Sequence, residues 1–114
     1  MVVSQGEVWW ADLPDPVGSG PGFRRPVVVV QADFLNRSDL ETVACIPLTG
    51  NLDWAGIPGS LFLHARSTGL PKDSVAVCAH ITSFDKCLLL ERMGKLSHTQ
   101  LSLLLSGIDT MLGR

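Results

Sequence analysis

Two adjacent arginines, Arg24 and Arg25, stand directly before a proline and a run of valines at residues 27–30. Pro26 fixes its own φ and restricts Arg25 to an extended backbone, so the Arg25 side chain leaves the chain in a defined direction. A guanidinium held in this way suits a phosphate, because it stays charged and donates two parallel hydrogen bonds. The residues alone leave a second interpretation open, in which both arginines only solvate the end of a strand.

The composition argues against a metal site and against nucleic-acid binding through overall charge. The three cysteines have no C-x-x-C spacing, and the three histidines form no ligand-spaced cluster with them. We therefore expect no metal, and we expect the thiols to be free and buried rather than part of a disulfide framework. The net charge is −2, so any phosphate-binding function must depend on a local cluster of cations. The cysteines are Cys45, Cys78 and Cys87.

The length and hydropathy pattern predict one globular unit without a membrane segment. At 114 residues, the chain is long enough for one hydrophobic core. Its apolar stretches are shorter than a membrane span, and residues 1–6 lack the basic-then-apolar order of a signal peptide. We therefore expect a single domain over residues 1–114, located in the cytoplasm and with no membrane partner.

Six short segments have the apolar, β-branched composition of strands. They are residues 6–13, 27–31, 42–49, 60–64, 74–84 and 88–96, the last with a break at Gly94. Glycine and proline are concentrated at residues 14–22, which predicts a loop between the first two strands. Val8, Trp10 and Leu13 are the predicted core residues of the first strand.

The chain ends in an amphipathic helix. Ser97 is the predicted N-cap, and Gln100 completes a capping box by reaching back to it. Apolar residues then recur at helical spacing, at Leu101, Leu104, Leu105, Ile108, Met111 and Leu112. Several short strands followed by one helix predict a mainly β fold, a small curved barrel or sandwich that the helix caps.

In their order along the chain, these segments resemble the MazF/PemK toxins of type II toxin–antitoxin systems. The matching residues are 6–13, 22–30, Asn36, 46–49, 69–75, 81–86 and 88–94, followed by the terminal helix. The match covers nearly the whole chain, and the doubled arginine and the proline-rich first loop are most similar to actinobacterial members. The resemblance implies an SH3-like small β-barrel of the MazF, PemK and CcdB type.

The resemblance also implies a metal-independent, sequence-specific endoribonuclease that needs no cofactor. Such enzymes cut single-stranded RNA with the ribose 2′-hydroxyl as nucleophile, which makes mRNA, tRNA or rRNA the implied substrate. The family's essential arginine corresponds to Arg25 and its essential hydroxyl to Thr49. Arg25 would stabilise charge on the phosphorane, and Thr49 would hydrogen-bond a phosphate oxygen. The alternative for Thr49 is an ordinary strand-end hydroxyl that bonds the backbone.

Several positions depart from the family pattern. Val77 and Ala79 stand where one branch has an arginine and an aspartate proposed as the acid–base pair, so that mechanism cannot apply unchanged. His80 replaces a common glutamine; it either transfers a proton or contacts a base or phosphate as glutamine would. An acidic residue that is common in the first loop is missing here, and Ser19 and Gly20 occupy that stretch. The remaining candidates for catalysis or RNA binding are Arg24, Ser19, Thr82 and Ser83.

Two other functions fit the same fold. One is a CcdB-like inhibitor of gyrase, which does not need Arg25 beside Thr49, and the other is an inactive member that only binds its antitoxin. The expected partners are single-stranded RNA, a cognate antitoxin with an acidic, disordered tail, and a second copy of the chain. The leucines at residues 88–90 and 101–105 favour a homodimer, because they carry more apolar surface than one small barrel covers.

The two arginines are expected to have different roles. Adjacent residues of an extended segment face opposite sides. Only one of Arg24 and Arg25 is therefore expected to enter a site beside Thr49, and the family match assigns that place to Arg25.

Overall fold

The fold is a curled antiparallel sheet with a helix at the C-terminal end of the chain. The computed structural model describes residues 2–13 and 23–114. In these residues the strands are β1 (Glu7–Leu13), β2 (Phe23–Val29), β3 (Thr42–Thr49), β4 (Leu61–Leu63), β5 (Ser74–Ala76), β6 (Thr82–Asp85) and β7 (Leu89–Lys95). The helices are α1 (Asp33–Asn36), α2 (Ala65–Thr68) and α3 (His98–Leu112), and short 3₁₀ turns lie at Leu52–Gly56, Cys78–His80 and Lys86–Leu88.

Strand β3 is the centre of the sheet. The strand order is β4-β5-β3-β2-β1-β7, and β6 also pairs with β3. One edge of β3 pairs with β2, and the other pairs first with β6 and then, at Leu48 and Thr49, with β5. The predicted strand at 42–49 is therefore confirmed, as is a mainly β fold that ends in a helix.

Strand β2 begins earlier than the sequence predicts. Arg24 and Arg25 lie within the strand and not in the loop before it. They extend the strand because they pair with residues 11–12 of β1. Pro26 is accommodated because the β3 ladder starts only at Val27. Both arginines are therefore held by a paired strand rather than by a loop.

The single long strand predicted over residues 74–84 is wrong, and β5 and β6 take its place. Both pair with the same edge of β3, and the 3₁₀ turn at Cys78–His80 separates them. The turn directs the Cys78 side chain into the core, where its Sγ lies 3.8 Å from the carbonyl oxygen of Leu104 in α3. Packing against the helix thus bends a segment that has the composition of a strand.

The break predicted at Gly94 is also wrong, because β7 continues to Lys95. The pairing of β7 with β1 shifts in register beside Gly94 instead of ending there. Gly94 allows the backbones of β7 and α2 to approach closely, because a Cβ at this position would lie 2.6 Å from the carbonyl oxygen of Thr68. The glycine is needed for packing against α2 and does not end the strand.

The sheet buries apolar side chains on both faces. The face toward α3 contains Val8, Val28, Ile46 and Leu48, and the other face contains Trp9, Val27, Val29, Cys45 and Phe84. All of residues 27–30 are buried, so the prediction of a strand buried on both faces is confirmed. Val8 and Leu13 are buried as predicted, whereas Trp10 is half-buried and Trp9 is the buried tryptophan of β1.

Helix α3 begins at the predicted place. Ser97 Oγ accepts a hydrogen bond from the backbone N–H of Gln100 at 3.2 Å, which confirms the N-cap. The Gln100 side chain reaches back to Ser97 as predicted, but its Oε1 accepts from the Ser97 hydroxyl and not from the backbone N–H, and its Nε2 donates to the hydroxyl of Ser67. Leu104 is fully buried against the sheet, while Leu112, predicted on the same face, is exposed.

A buried carboxylate, Glu7, connects the first and last strands. Its Oε1 accepts hydrogen bonds from the backbone N–H of Ser4 at 2.8 Å and from Trp9 Nε1 at 3.2 Å. Its Oε2 accepts one from Arg92 Nε at 2.7 Å. One side chain therefore satisfies donors from the N-terminal segment, β1 and β7.

Glu7→Ala is expected to lower the free energy of unfolding by about 1–3 kcal/mol, because it leaves buried donors without an acceptor. Arg92→Ala is the matched control and should cost less, since Glu7 keeps two N–H donors and half of the Arg92 side chain is in solvent. Urea unfolding measures both changes. Equal losses for the two variants would contradict the role given to Glu7.

The cysteines are free thiols in different environments. Cys45 and Cys78 are buried, as predicted, and burial raises their pKa to about 12 and about 11. The prediction that Cys87 is buried is wrong: it lies in the 3₁₀ turn at Lys86–Leu88, on the surface, and is exposed. A hydrogen bond to Asp85 raises the pKa of the Cys87 thiol.

Thiol labelling should therefore modify Cys87 alone in the folded protein. The reaction is expected to be slow at neutral pH and to accelerate as the pH rises, because the thiolate is the reacting species. All three thiols should react in denaturant. Mass spectrometry of labelled peptides measures this, and labelling of Cys45 or Cys78 before unfolding would contradict the burial.

Candidate functional site

A cavity of about 290 Å³ opens where β2 begins and β3 ends. Its walls come from β1, from the start of β2, from the end of β3 and from the turn between α2 and β5. Arg25 and Thr49 both line it, together with Arg24 and residues 70–74. Residues that the sequence separates widely thus meet in one concave site.

Arg25 and Thr49 occupy matching positions on neighbouring strands. Val27 of β2 pairs with Pro47 of β3. Arg25 comes two residues before that pair, and Thr49 comes two residues after it. Both residues therefore lie just beyond the end of the β2–β3 ladder, and Arg25 is held there by its pairing with Ala11 of β1. Thr49 is further fixed by β5, where it pairs with Val75.

The Thr49 hydroxyl already makes one hydrogen bond with the backbone. Its Oγ1 accepts a hydrogen bond from the backbone N–H of Asn51 at 3.1 Å. A hydroxyl has one proton to donate and two lone pairs with which to accept. The backbone bond that the sequence analysis left open therefore exists, and it leaves the hydroxyl proton for a ligand in the cavity.

Arg24 lies on the opposite face of β2 from Arg25 and yet also lines the cavity. Its guanidinium carbon is 5.4 Å from the ring centroid of Trp10, a cation–π contact that orients the side chain. The expectation that only one arginine enters the site is therefore wrong. The cavity lies at the end of the strand, where side chains from both faces reach it.

The turn between α2 and β5 brings a lysine and an aspartate to the cavity. Asp73 Oδ1 accepts a hydrogen bond from the backbone N–H of Ala65, at 2.8 Å, at the start of α2. Gly69 ends α2 in the left-handed conformation, with a φ of 79°. These two features hold the turn that presents Lys72. Sequence analysis did not select Lys72 or Asp73, because nothing in their spacing shows that they approach Arg25.

The cavity is locally basic although the net charge of the chain is −2. Arg24, Arg25 and Lys72 carry positive charge, and Asp73 is the one carboxylate among the described residues that line the cavity. Within the described part of the chain, the ion pairs involve other residues and leave these three cations without a carboxylate partner. The local cluster of cations that phosphate binding requires is present.

The site offers cations for an anion rather than ligands for a metal. Across residues 2–13 and 23–114, no group of three or more His, Cys, Asp or Glu side chains is placed to hold a metal ion. In the same two stretches, no helix has the length and apolar character needed to cross a membrane.

Comparison with known proteins gives the family. The model of the PemK-like, MazF-like toxins of type II toxin–antitoxin systems matches residues 4–112. The chain belongs to this family. Endoribonuclease MazF6 of Mycobacterium tuberculosis is 45% identical to it over 95 residues, which are 83% of each chain. The predicted family is therefore confirmed.

Two solved structures of the family share the fold. A MazF from Deinococcus radiodurans superposes with a TM-score of 0.82 at 21% identity, covering 100% of this chain and 99% of its own. An endoribonuclease in complex with its cognate antitoxin, from a mycobacterial species, gives a TM-score of 0.73 at 19% identity, with 98% and 94% covered. The predicted fold, a small barrel of the MazF type with a C-terminal helix, is confirmed.

The other residues predicted for the site of this MazF-like toxin lie away from the cavity lining. His80 packs against Trp54, with ring centroids 5.0 Å apart and planes inclined at 60°. Thr82 and Ser83 are exposed on β6, where Thr82 pairs with Cys45. That pair is four residues along β3 from Thr49, roughly 13 Å at the usual rise of a strand. The prediction for Ser19 lies outside the described residues.

Proposed function

We propose that this toxin is a metal-independent endoribonuclease that cuts single-stranded RNA at a specific short sequence. The observation that supports the proposal is that Arg25 and Thr49 line one cavity together with Arg24 and Lys72. The 2′-hydroxyl of the RNA itself supplies the nucleophile, so the protein has only to orient the phosphate, stabilise its charge and move protons. The substrate is mRNA, tRNA or rRNA. The enzyme acts in the cytoplasm, and residues 1–114 form a single domain.

The Arg25 guanidinium binds the phosphate that is cut. Negative charge grows on the non-bridging oxygens as the phosphorane forms, and a planar donor already held by a strand stabilises that charge without reorganising. The Thr49 hydroxyl donates its proton to a second oxygen of the same phosphate. Arg24, held over Trp10 at 5.4 Å, binds a neighbouring phosphate and contributes affinity that depends on salt.

Incubation of the purified protein with a defined single-stranded RNA in EDTA tests the activity. We expect fragments that end in a 2′,3′-cyclic phosphate and begin with a 5′-hydroxyl. An RNA with 2′-deoxyribose at the cut site should remain intact, because it lacks the nucleophile. Sequencing of the fragment ends gives the recognised sequence.

The same experiment distinguishes the two other functions. A gyrase inhibitor of the CcdB kind would leave every RNA intact and would inhibit DNA supercoiling. An inactive member would do neither and would still bind its antitoxin. Intact RNA at all protein concentrations would contradict the proposal.

The proposed protein partner is an antitoxin with an acidic, disordered tail. The related mycobacterial endoribonuclease was solved with its cognate antitoxin. Three cations at one cavity give an acidic peptide the same attraction that they give RNA, so the tail would compete directly with the substrate. Binding of antitoxin should therefore weaken when Arg24 or Lys72 is replaced by alanine.

The toxin is proposed to act as a homodimer. Leu90, Leu103 and Leu112 are between 48% and 57% exposed, which leaves apolar surface for a second copy to cover. Sedimentation at micromolar concentration should show the mass of two chains. A monomer under these conditions would contradict the dimer without affecting the proposed chemistry.

A further inference from the structure

Two charged side chains of the cavity are able to transfer protons. Lys72 and Asp73 are adjacent in the turn before β5, and both line the cavity with Arg25 and Thr49. Cleavage of RNA needs a group that accepts the 2′-hydroxyl proton and a group that protonates the leaving 5′-oxygen. The apolar side chains of Val77 and Ala79 cannot transfer protons.

We infer that Asp73 is the general base of the reaction and Lys72 the general acid. This inference rests on the proposed endoribonuclease function and assigns the proton transfers of that same site. At neutral pH an aspartate is an acceptor and a lysine ammonium is a donor, as the two tasks require. Among the described residues that line the cavity, Asp73 supplies the one carboxylate and there is no histidine.

The Asp73 carboxylate is held in a fixed position. Its Oδ1 accepts the N–H of Ala65 at 2.8 Å, which leaves Oδ2 for a substrate proton. The turn is fixed at its other end by Gly69, where a Cβ would collide with the carbonyl oxygen of Met93. A base on such a turn is oriented before the RNA binds, and general-base catalysis depends on that orientation.

His80 is the other group able to transfer a proton near neutral pH, and its position argues against it. Its ring packs against Trp54 at a centroid distance of 5.0 Å, in the 3₁₀ turn between β5 and β6. Neither residue lines the cavity that contains Arg25 and Thr49. His80 therefore lies outside the cavity in which the proposal places the phosphate that is cut.

The two side chains exchange one proton each with the RNA. Asp73 takes the proton of the 2′-hydroxyl while the 2′-oxygen forms its bond to phosphorus. The bond from phosphorus to the 5′-oxygen breaks, and the leaving oxygen takes a proton from the Lys72 ammonium. The products are a 2′,3′-cyclic phosphate and a 5′-hydroxyl, and exchange with water restores both side chains.

Asp73→Asn tests the base without removing the turn's hydrogen bond. The asparagine oxygen can still accept the Ala65 N–H, so the melting temperature should remain close to that of the unmodified toxin. Single-turnover cleavage should fall roughly 10²–10⁴-fold. Affinity for an RNA with 2′-deoxyribose at the cut site should be unchanged or stronger, because only the proton acceptor is lost. Asp39→Asn, which changes an exposed aspartate that does not line the cavity, is the control and should cleave at the normal rate.

Lys72→Ala tests the acid with two RNA substrates. One is ordinary RNA, and the other has sulfur in place of the 5′-oxygen at the cut site. A thiolate leaves without being protonated, so the defect of Lys72→Ala should disappear on the sulfur substrate, whereas Asp73→Asn should stay slow on both. Lys95→Ala, which removes an exposed cation of β7, should cleave both substrates normally.

The cleavage rates of the two variants and of the unmodified toxin distinguish failure of this assignment from failure of the proposed function. Normal cleavage by Asp73→Asn, or an equal defect of Lys72→Ala on both substrates, would overturn the assignment while leaving the proposed function intact. Failure of the unmodified toxin to cut any RNA would instead overturn the proposed function and this assignment together. If Asp73→Asn were unstable, the comparison of substrates with Lys72→Ala would decide alone.

Discussion

Arg25→Ala is expected to reduce RNA cleavage by roughly 10²–10³-fold or more, the cost of removing one preorganised charge-stabilising group from a transition state. The side chain is half-buried at the cavity and has no ion pair among the described residues, so its loss should leave the fold intact. Arg25→Lys should fail nearly as badly, because an ammonium cannot replace two parallel N–H donors. Single-turnover kinetics and a melting curve measure rate and fold separately.

Arg24→Ala is the matched control for this prediction. It removes an adjacent arginine of the same strand that also lines the cavity but faces the other side of β2. We expect weaker RNA binding and a smaller dependence of binding on salt, with a nearly normal rate at saturating protein. Full cleavage by Arg25→Ala together with loss of cleavage by Arg24→Ala would contradict the prediction and would assign the catalytic role to Arg24.

Leu104→Ala is expected to lower the free energy of unfolding by about 2–5 kcal/mol. Leu104 is fully buried between α3 and the sheet, among Val8, Val28 and Ile46. Truncation removes its contacts and leaves a cavity that a rigid strand core cannot easily close. Denaturant unfolding at constant protein concentration measures the loss.

Leu103→Ala provides the control at the neighbouring position. Leu103 is 53% exposed, and its truncation should change stability by about 0.5 kcal/mol or less in a monomer. Similar losses for the two variants at low protein concentration would contradict the packing of α3. A loss for Leu103→Ala that appears only at high concentration would instead place Leu103 in the dimer contact.

Local patterns in the sequence were enough to predict the elements that depend on local physics. The valines at 27–30 indicate a strand buried on both faces, and the bounds of β3 follow from its composition. Ser97 marks the start of α3 because an N-cap hydroxyl satisfies a backbone donor within one turn. These features need only residues that are near one another in the chain.

Features that depend on distant contacts could not be predicted in the same way. The strand composition of residues 74–84 conceals the 3₁₀ turn at Cys78–His80, which packing of Cys78 against Leu104 produces. The start of β2 was misplaced because pairing with β1 extends it back through Arg24. In each case a partner far along the chain decides the local structure.

The candidate site could be predicted only in part, because its residues come from distant segments of the chain. Arg25 followed from its place before Pro26, and Thr49 only from the family resemblance, since a threonine at a strand end has no pattern of its own. Lys72 and Asp73 were missed because they reach the cavity only through the turn before β5. His80 was predicted at the site, but it lies in the turn before β6 and packs against Trp54 outside the cavity. Sheet register, which the sequence does not show, decides which of these residues meet.

A crystal structure of the toxin with an uncleavable RNA, which has 2′-deoxyribose at the cut site, would show where the phosphate that is cut binds. We expect the phosphate of that nucleotide in the cavity, with its non-bridging oxygens about 2.7–3.1 Å from the Arg25 guanidinium and the Thr49 hydroxyl. A phosphate bound on another surface, with the cavity free of RNA, would contradict this expectation.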